Sequence, residues 1–226
     1  MARCLRFAVL CASLLAARAP ARADTAADVY AAMGLKAQDV LTGSVVTARV
    51  LPGDAKQVVA IVTFFTGKKD DANAVNVRLE VYRKDGSGLS SVYSRDYGRD
   101  NGGFVGRGEI ELLDLDGDGS SEIVVSYDQL GNPLVQRRAG EVIVRDSSGF
   151  RVAWSGDLEY DATRAARDVP PERRDRFVRT LDPTATIRTK GITLFMTKKV
   201  IAVAGERLPE PKTVRETFTL RPPREP

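Results

Sequence analysis

Four acidic side chains share one short, glycine-containing segment, Leu113-Asp114-Leu115-Asp116-Gly117-Asp118-Gly119-Ser120-Ser121-Glu122-Ile123. Counted from Asp114, the acids stand at positions 1, 3, 5 and 9. Acids on alternate residues of a tightly curled loop can converge on one point. A hard cation such as calcium wants this, because it takes six to eight oxygens at about 2.3–2.6 Å in a tolerant geometry. Gly117 and Gly119 allow the positive φ values that such curling demands. Ser120 is placed to offer its backbone carbonyl, and Glu122 to close the site with one or two oxygens. Without a cation the arrangement is costly: two carboxylates roughly 5 Å apart repel by about 3 kcal/mol at an effective dielectric near 20. No Lys or Arg lies within residues 108–136, and Arg107 and Arg137 are the nearest in sequence. Magnesium, which keeps several waters, suits the donor set less well than calcium.

The segment is not an EF-hand, which needs Glu at position 12 and flanking helices; here that position is Val125, and strand-like runs flank the loop. The pattern D-x-D-x-D-G-x-x-[D/E] followed by Ile-Val-Val resembles the calcium loop of FG-GAP/VCBS-type repeats, found in integrin-like β-propellers and many exported bacterial proteins. The likeness is strong over about a dozen residues and loose over residues 100–160. It implies calcium as the bound ion. Asp114, Asp116 and Asp118 would ligate through side chains, Ser120 through its carbonyl and Glu122 through its carboxylate. The acidic motif occurs once, so a non-repeating β-domain carrying a single such loop is expected rather than a set of propeller blades.

Other chemistry is excluded by what is missing. The chain has no His, which removes Ser-His-Asp and Cys-His nucleophilic machinery and imidazole metal sites. No G-x-S-x-G, Walker or Rossmann pattern occurs. Glu109, Glu111 and Glu159 leave open a secreted carbohydrate-active hydrolase with paired carboxylates and a calcium scaffold. Trp154, Tyr127 and Tyr160 are aromatics for a sugar platform, although packing is the ordinary role of aromatics in strands. Asp70, Asp71, Asp96 and Asp100 are candidates for a second ion site, without the alternating register.

Residues 1–23 combine Arg3 and Arg6, an apolar run from Phe7 to Ala17, and Ala21-Arg22-Ala23. This is the pattern of a cleaved secretory signal, and the apolar run is too short to cross a bilayer. Cleavage would remove four arginines and both cysteines, leaving 30 bases against 30 acids. Such a chain has no electrostatic case for nucleic-acid binding, no disulfides and no integral membrane segment. It is expected in the periplasm or secreted, with a protein or glycan as partner.

The elements that must hold the loop read mainly as antiparallel β, sandwich-like or propeller-blade-like, with one or two short helices. A helix from Asp24 through Met33 stops at Gly34. Strands are expected over Val45–Val50, Gln57–Thr66 (a nearly continuous apolar run suited to a central position), Val75–Tyr82 and Leu89–Tyr97. Glycines make residues 98–108 a loop. Glu109–Leu113 and Ile123–Tyr127 flank the acidic segment. Hairpins follow over residues 141–155 and, around a Lys190-Gly191 turn, 184–204; Val214–Leu220 adds a last strand. Val169-Pro170-Pro171-Glu172 opens a second helix with Phe177, Val178 and Leu181 as its apolar stripe and its arginines solvated. Residues 24–226 are taken as one unit, with a loose tail from about 221.

Overall fold

The computed structural model describes residues 23–51, 53, 55–67, 75–85, 88–100, 105–131, 134–165, 169–187 and 193–219, with 23–25, 99–100 and 183–187 as backbone only. The N-terminal segment read as a signal, Asp70 and Asp71, the Lys190-Gly191 turn and the tail from 221 lie outside the described residues, as does the side chain of Asp100.

The chain is mainly β, as the alternation predicts, and every strand pairing is antiparallel. A first sheet runs in sequence order: β1 (Val40–Ala48), β2 (Gln57–Phe65), β3 (Val75–Asp85) and β4 (Gly88–Asp96). The second sheet has seven strands, also in sequence order. They are β5 (Val105–Leu113), β6 (Glu122–Gln129), β7 (Gln136–Asp146), β8 (Gly149–Asp161), β9 (Arg176–Ile187), β10 (Thr193–Val203) and β11 (Glu206–Thr219). Helix α1 spans Ala23–Ala32, and a single turn, α2, spans Tyr97–Asp100.

Why β2 is apolar over most of its length becomes clear from its two faces. Val59 and Ile61 point into a core shared with Ile123, Val125 and Tyr127 of β6 and Ile143 of β7. Val58, Ala60, Val62 and Phe64 point the other way, into a cluster with Val29 and Met33 of α1. A strand covered on both faces loses the polar alternation of a half-exposed one. The second sheet is likewise used on both faces. Val142 and Val144 of β7 turn away from Ile143 and pack with Leu194 and Met196 of β10 and Leu115 of the acidic loop. At β8 the register shifts, Val142 facing Trp154 and Ile143 facing Val152, so one extra residue separates the two. This bulge sends Val152 to the inter-sheet core and lets Ala153 and Trp154 pack on the opposite side.

The sheets meet closely at β5. A side-chain carbon on Gly108 would stand 2.5 Å from Val77 Cγ1 and 2.8 Å from Ile61 Cδ1, and the Gly108 N–H donates to Thr63 Oγ1 at 3.1 Å. A half-buried ion pair also crosses the interface. Arg95 of β4 binds Glu141 of β7 with two hydrogen bonds, 2.8 and 2.7 Å, and the glutamate is 4% exposed.

Three expectations are corrected. The second helix is absent: Pro171–Arg173 form one 3₁₀ turn, and Phe177, Val178 and Leu181 lie in strand β9. Its arginines pair within the sheet, Arg179 with Glu216 and Arg176 with Asp161. The glycine-rich loop is shorter than expected, because Tyr97–Asp100 forms a helical turn and β5 begins at Val105. The last strand starts at Glu206, well before Val214, and carries Pro209 and Pro211. Its position at the sheet edge tolerates prolines, and the pairing jumps from Val200↔Lys212 to Ala202↔Arg207 around them.

Candidate metal centre

The acidic segment is the turn between β5 and β6, and those strands hold its two ends in register, Leu113 opposite Glu122. Leu115 is 2% exposed and reaches into the cluster of Val142, Val144, Leu194 and Met196. The turn therefore has an apolar nail between its first two aspartates, so Asp114 and Asp116 face away from the core. Gly117 and Gly119 have φ of +76° and +86°, a backbone that β-carbon-bearing residues rarely adopt.

Asp114, Asp116 and Glu122 each offer a carboxylate oxygen within 4.8 Å of the others. Asp118 lies on the exposed outer arc of the turn, outside that trio. The loop's own amides organise the acids. Asp114 accepts from Gly117 N–H (2.6 Å) and Gly119 N–H (3.2 Å), Asp116 from Asp118 N–H (3.1 Å), and Asp118 from Ser120 N–H (2.7 Å). Glu122 accepts from Leu115 N–H at 2.7 Å. Ionised carboxylates have about four lone-pair sites each, so these bonds orient the acids and leave acceptor capacity inside the cluster. Ser120, half-buried, follows in the turn with its N–H so engaged.

Electrostatics mark Glu122 as the unusual member. It is 7% exposed, and burial, partly offset by the Leu115 N–H and reinforced by the charges of Asp116 and Asp118, lifts its pKa to about 7. Asp116 is raised too, chiefly by burial and by the charges of Asp118 and Asp114. Both shifts are the response of carboxylates gathered in a partly dry place. A divalent cation would reverse them. The donors are hard oxygens on a short, curled backbone, and this set fits calcium.

The nearest bases in sequence do not serve the loop. Arg107 pairs with Glu109, and Arg137 with Asp157. The fold brings Arg49 instead, from the end of β1. Its carbonyl accepts from Ser121 N–H at 2.7 Å, and its Nη1 lies 3.9 Å from where a side-chain carbon on Gly119 would stand. Arg49 and Leu115 carry no role in the sequence reading. Leu115 was legible as an apolar residue between acids, whereas Arg49 lies far upstream and has no local signal.

Of the remaining candidates, Glu109, Glu111 and Trp154 line one cavity, and Glu159 and Tyr160 line another. Tyr127 packs on Tyr97 (4.5 Å between ring centroids), Trp154 on Phe218 (5.7 Å) and Tyr160 on Phe177 (5.7 Å), so each ring belongs to a different pair. Glu109 is held by Arg107 and Arg138. Glu111 stands on the same face of β5, and Glu159 lies in β8. Asp96 accepts from Asn76 Nδ2 at 2.9 Å and lies 3.7 Å from Arg78. No helix among the described residues is long and apolar enough to cross a membrane. No family model matches the chain, and neither a curated protein nor a solved structure shows significant similarity to it.

Proposed function

We propose that the β5–β6 turn binds calcium and that the chain works as an exported, calcium-stabilised β-domain, a structural or interaction module with a protein or glycan partner. The observation that carries this reading is the convergence of Asp114, Asp116 and Glu122 within 4.8 Å on a turn that Leu115 anchors to the core. The ion would take carboxylate oxygens from these three, with Asp118 and the Ser120 carbonyl as the further donors the motif implies. Bound there, it would tie the end of β5 to the start of β6 and fix the register of the strands that line both cores. The single-copy likeness to FG-GAP/VCBS loops and the signal-like segment support the same reading, in which the protein works in calcium-containing surroundings. Extracellular modules commonly bind calcium at about 10⁻⁴–10⁻³ M, so millimolar levels would suffice.

The test is thermal unfolding with and without calcium. At one hundred times Kd, calcium binding adds about 2.7 kcal/mol. For a chain of this size that raises Tm by roughly 5–10 °C. EGTA should remove the increment, and Asp116→Ala should abolish it. A wild-type Tm indifferent to both calcium and EGTA rejects the proposal.

A further inference from the structure

The face of the seven-stranded sheet turned away from the first sheet is not flat. Leu194 and Met196 of β10 pack on Val142 and Val144 of β7, with β8 and β9 between them in the sheet, so the sheet curls over this face. The curl shelters a cavity of about 520 Å³, within the size range of small-molecule sites. Strand register lays out its floor. One row crosses from Glu109 of β5 through Ser126 and Gly140 to Gly156 of β8, almost bare of side chains beyond the glutamate. The next row runs Glu111, Val124, Val142, Trp154. The indole of Trp154 lies against Gly156, where a side-chain carbon would stand 3.0 Å from Cζ2. Few polar groups face this space. Glu111 is exposed, and its carboxylate joins no hydrogen bond or ion pair among the described residues. Ser126 Oγ accepts from Arg138 Nη2 at 2.8 Å, which leaves the hydroxyl hydrogen to donate.

We propose that this cavity is a glycan site and takes a short neutral oligosaccharide. A pyranose ring has an apolar face of C–H groups that stacks on an aromatic ring, and a rim of hydroxyls that each donate and accept. Trp154 carries one ring, Glu111 accepts from the hydroxyls of the next, and Ser126 donates to the sugar between them. The acids of β5 and Arg179 of β9 line the same space, so neither a cation nor an anion is matched throughout it, whereas an uncharged polyol is. Three strand spacings separate β5 from β8, about 14 Å along the row before the curl shortens it, a span for two or three linked rings rather than one. The inference names the partner of the interaction module proposed above, and it does not depend on the calcium half of that reading.

The emission of Trp154, the one tryptophan, tests this directly. The full chain is titrated with maltose, cellobiose, lactose and chitobiose up to about 50 mM, enough to reveal millimolar binding. At least one of the four should give a saturable change. Glu111→Ala, at an exposed position, should weaken that binding about tenfold or more, as the loss of hydrogen bonds to a charged group does. Trp154→Phe, which keeps a ring against Phe218, should weaken it about threefold or more, read by calorimetry because the variant has no tryptophan. Glu159→Ala, in the other cavity, should bind as wild type does. A flat response to all four sugars overturns the inference, and so does a Glu111→Ala protein that binds as tightly as wild type or a Glu159→Ala protein that loses as much. A calcium-dependent Tm with no sugar response overturns this inference and leaves the calcium reading standing. Sugar binding by a protein whose Tm ignores both calcium and EGTA does the reverse.

Discussion

Replacing Glu122 with glutamine separates the cost of the empty turn from the benefit of the filled one. In the folded chain the pKa of Glu122 is raised from its ordinary 4.5 to about 7, mainly by burial. Between those values the folded state holds a proton that the unfolded state has released. Calcium-free stability must therefore fall as pH rises from 4.5 to 7, and level off above. A shift of this size has a ceiling of about 3.4 kcal/mol at 1.36 kcal/mol per unit. Water reaching the exposed Asp114 and Asp118 beside it screens the cost, so about 1–3 kcal/mol is expected. Glutamine can still accept the Leu115 N–H but does not titrate. The assay is urea unfolding in EGTA from pH 5 to 8, followed by the fluorescence of Trp154, the one tryptophan, which packs on Phe218. At pH 5 Glu122→Gln should lead by less than about 1 kcal/mol, and at pH 8 by about 1–3 kcal/mol. Calcium at 10 mM should reverse the order at pH 8, because only the wild type offers the buried carboxylate. Identical pH profiles for the two proteins in EGTA would refute the reasoning.

Three further outcomes follow from the packing and from the proposed export. Gly108→Ala should cost about 1–3 kcal/mol by overpacking against Val77 and Ile61, whereas Gly88→Ala, with nothing closer than 4.0 Å, should change stability by under about 0.5 kcal/mol; urea midpoints compare them. Glu141→Ala should destabilise by about 1–3 kcal/mol because it removes both hydrogen bonds that Arg95 donates to the buried carboxylate, and the double variant Arg95→Met/Glu141→Leu should recover part of that in the same assay. Mass spectrometry of the exported protein should find Asp24 as its first residue; an intact Met1 would contradict the cleavage reading.

The sequence by itself carries the features whose physical cause is local. Strand alternation has a period of two, so β3, β6 and the hairpin of β7 and β8 can be read directly from residue order, and β2 from a strand-length apolar run. The donor set of the turn is also local, since nine residues supply every acid and both positive-φ glycines. Non-local partners decide the rest. Phe177, Val178 and Leu181 fit a helical stripe as well as a strand; pairing with Tyr160 of β8 and with Lys199, Val200 and Met196 of β10 makes them β9. The partition into sheets of four and seven strands, the burial that lifts Glu122, the Arg95–Glu141 pair and the placing of Arg49 beside Gly119 depend on contacts between chain segments far apart. Hydrogen bonds between strands and charge pairs across a core are settled by which surfaces exclude water together, and residue order states that only after the chain has folded.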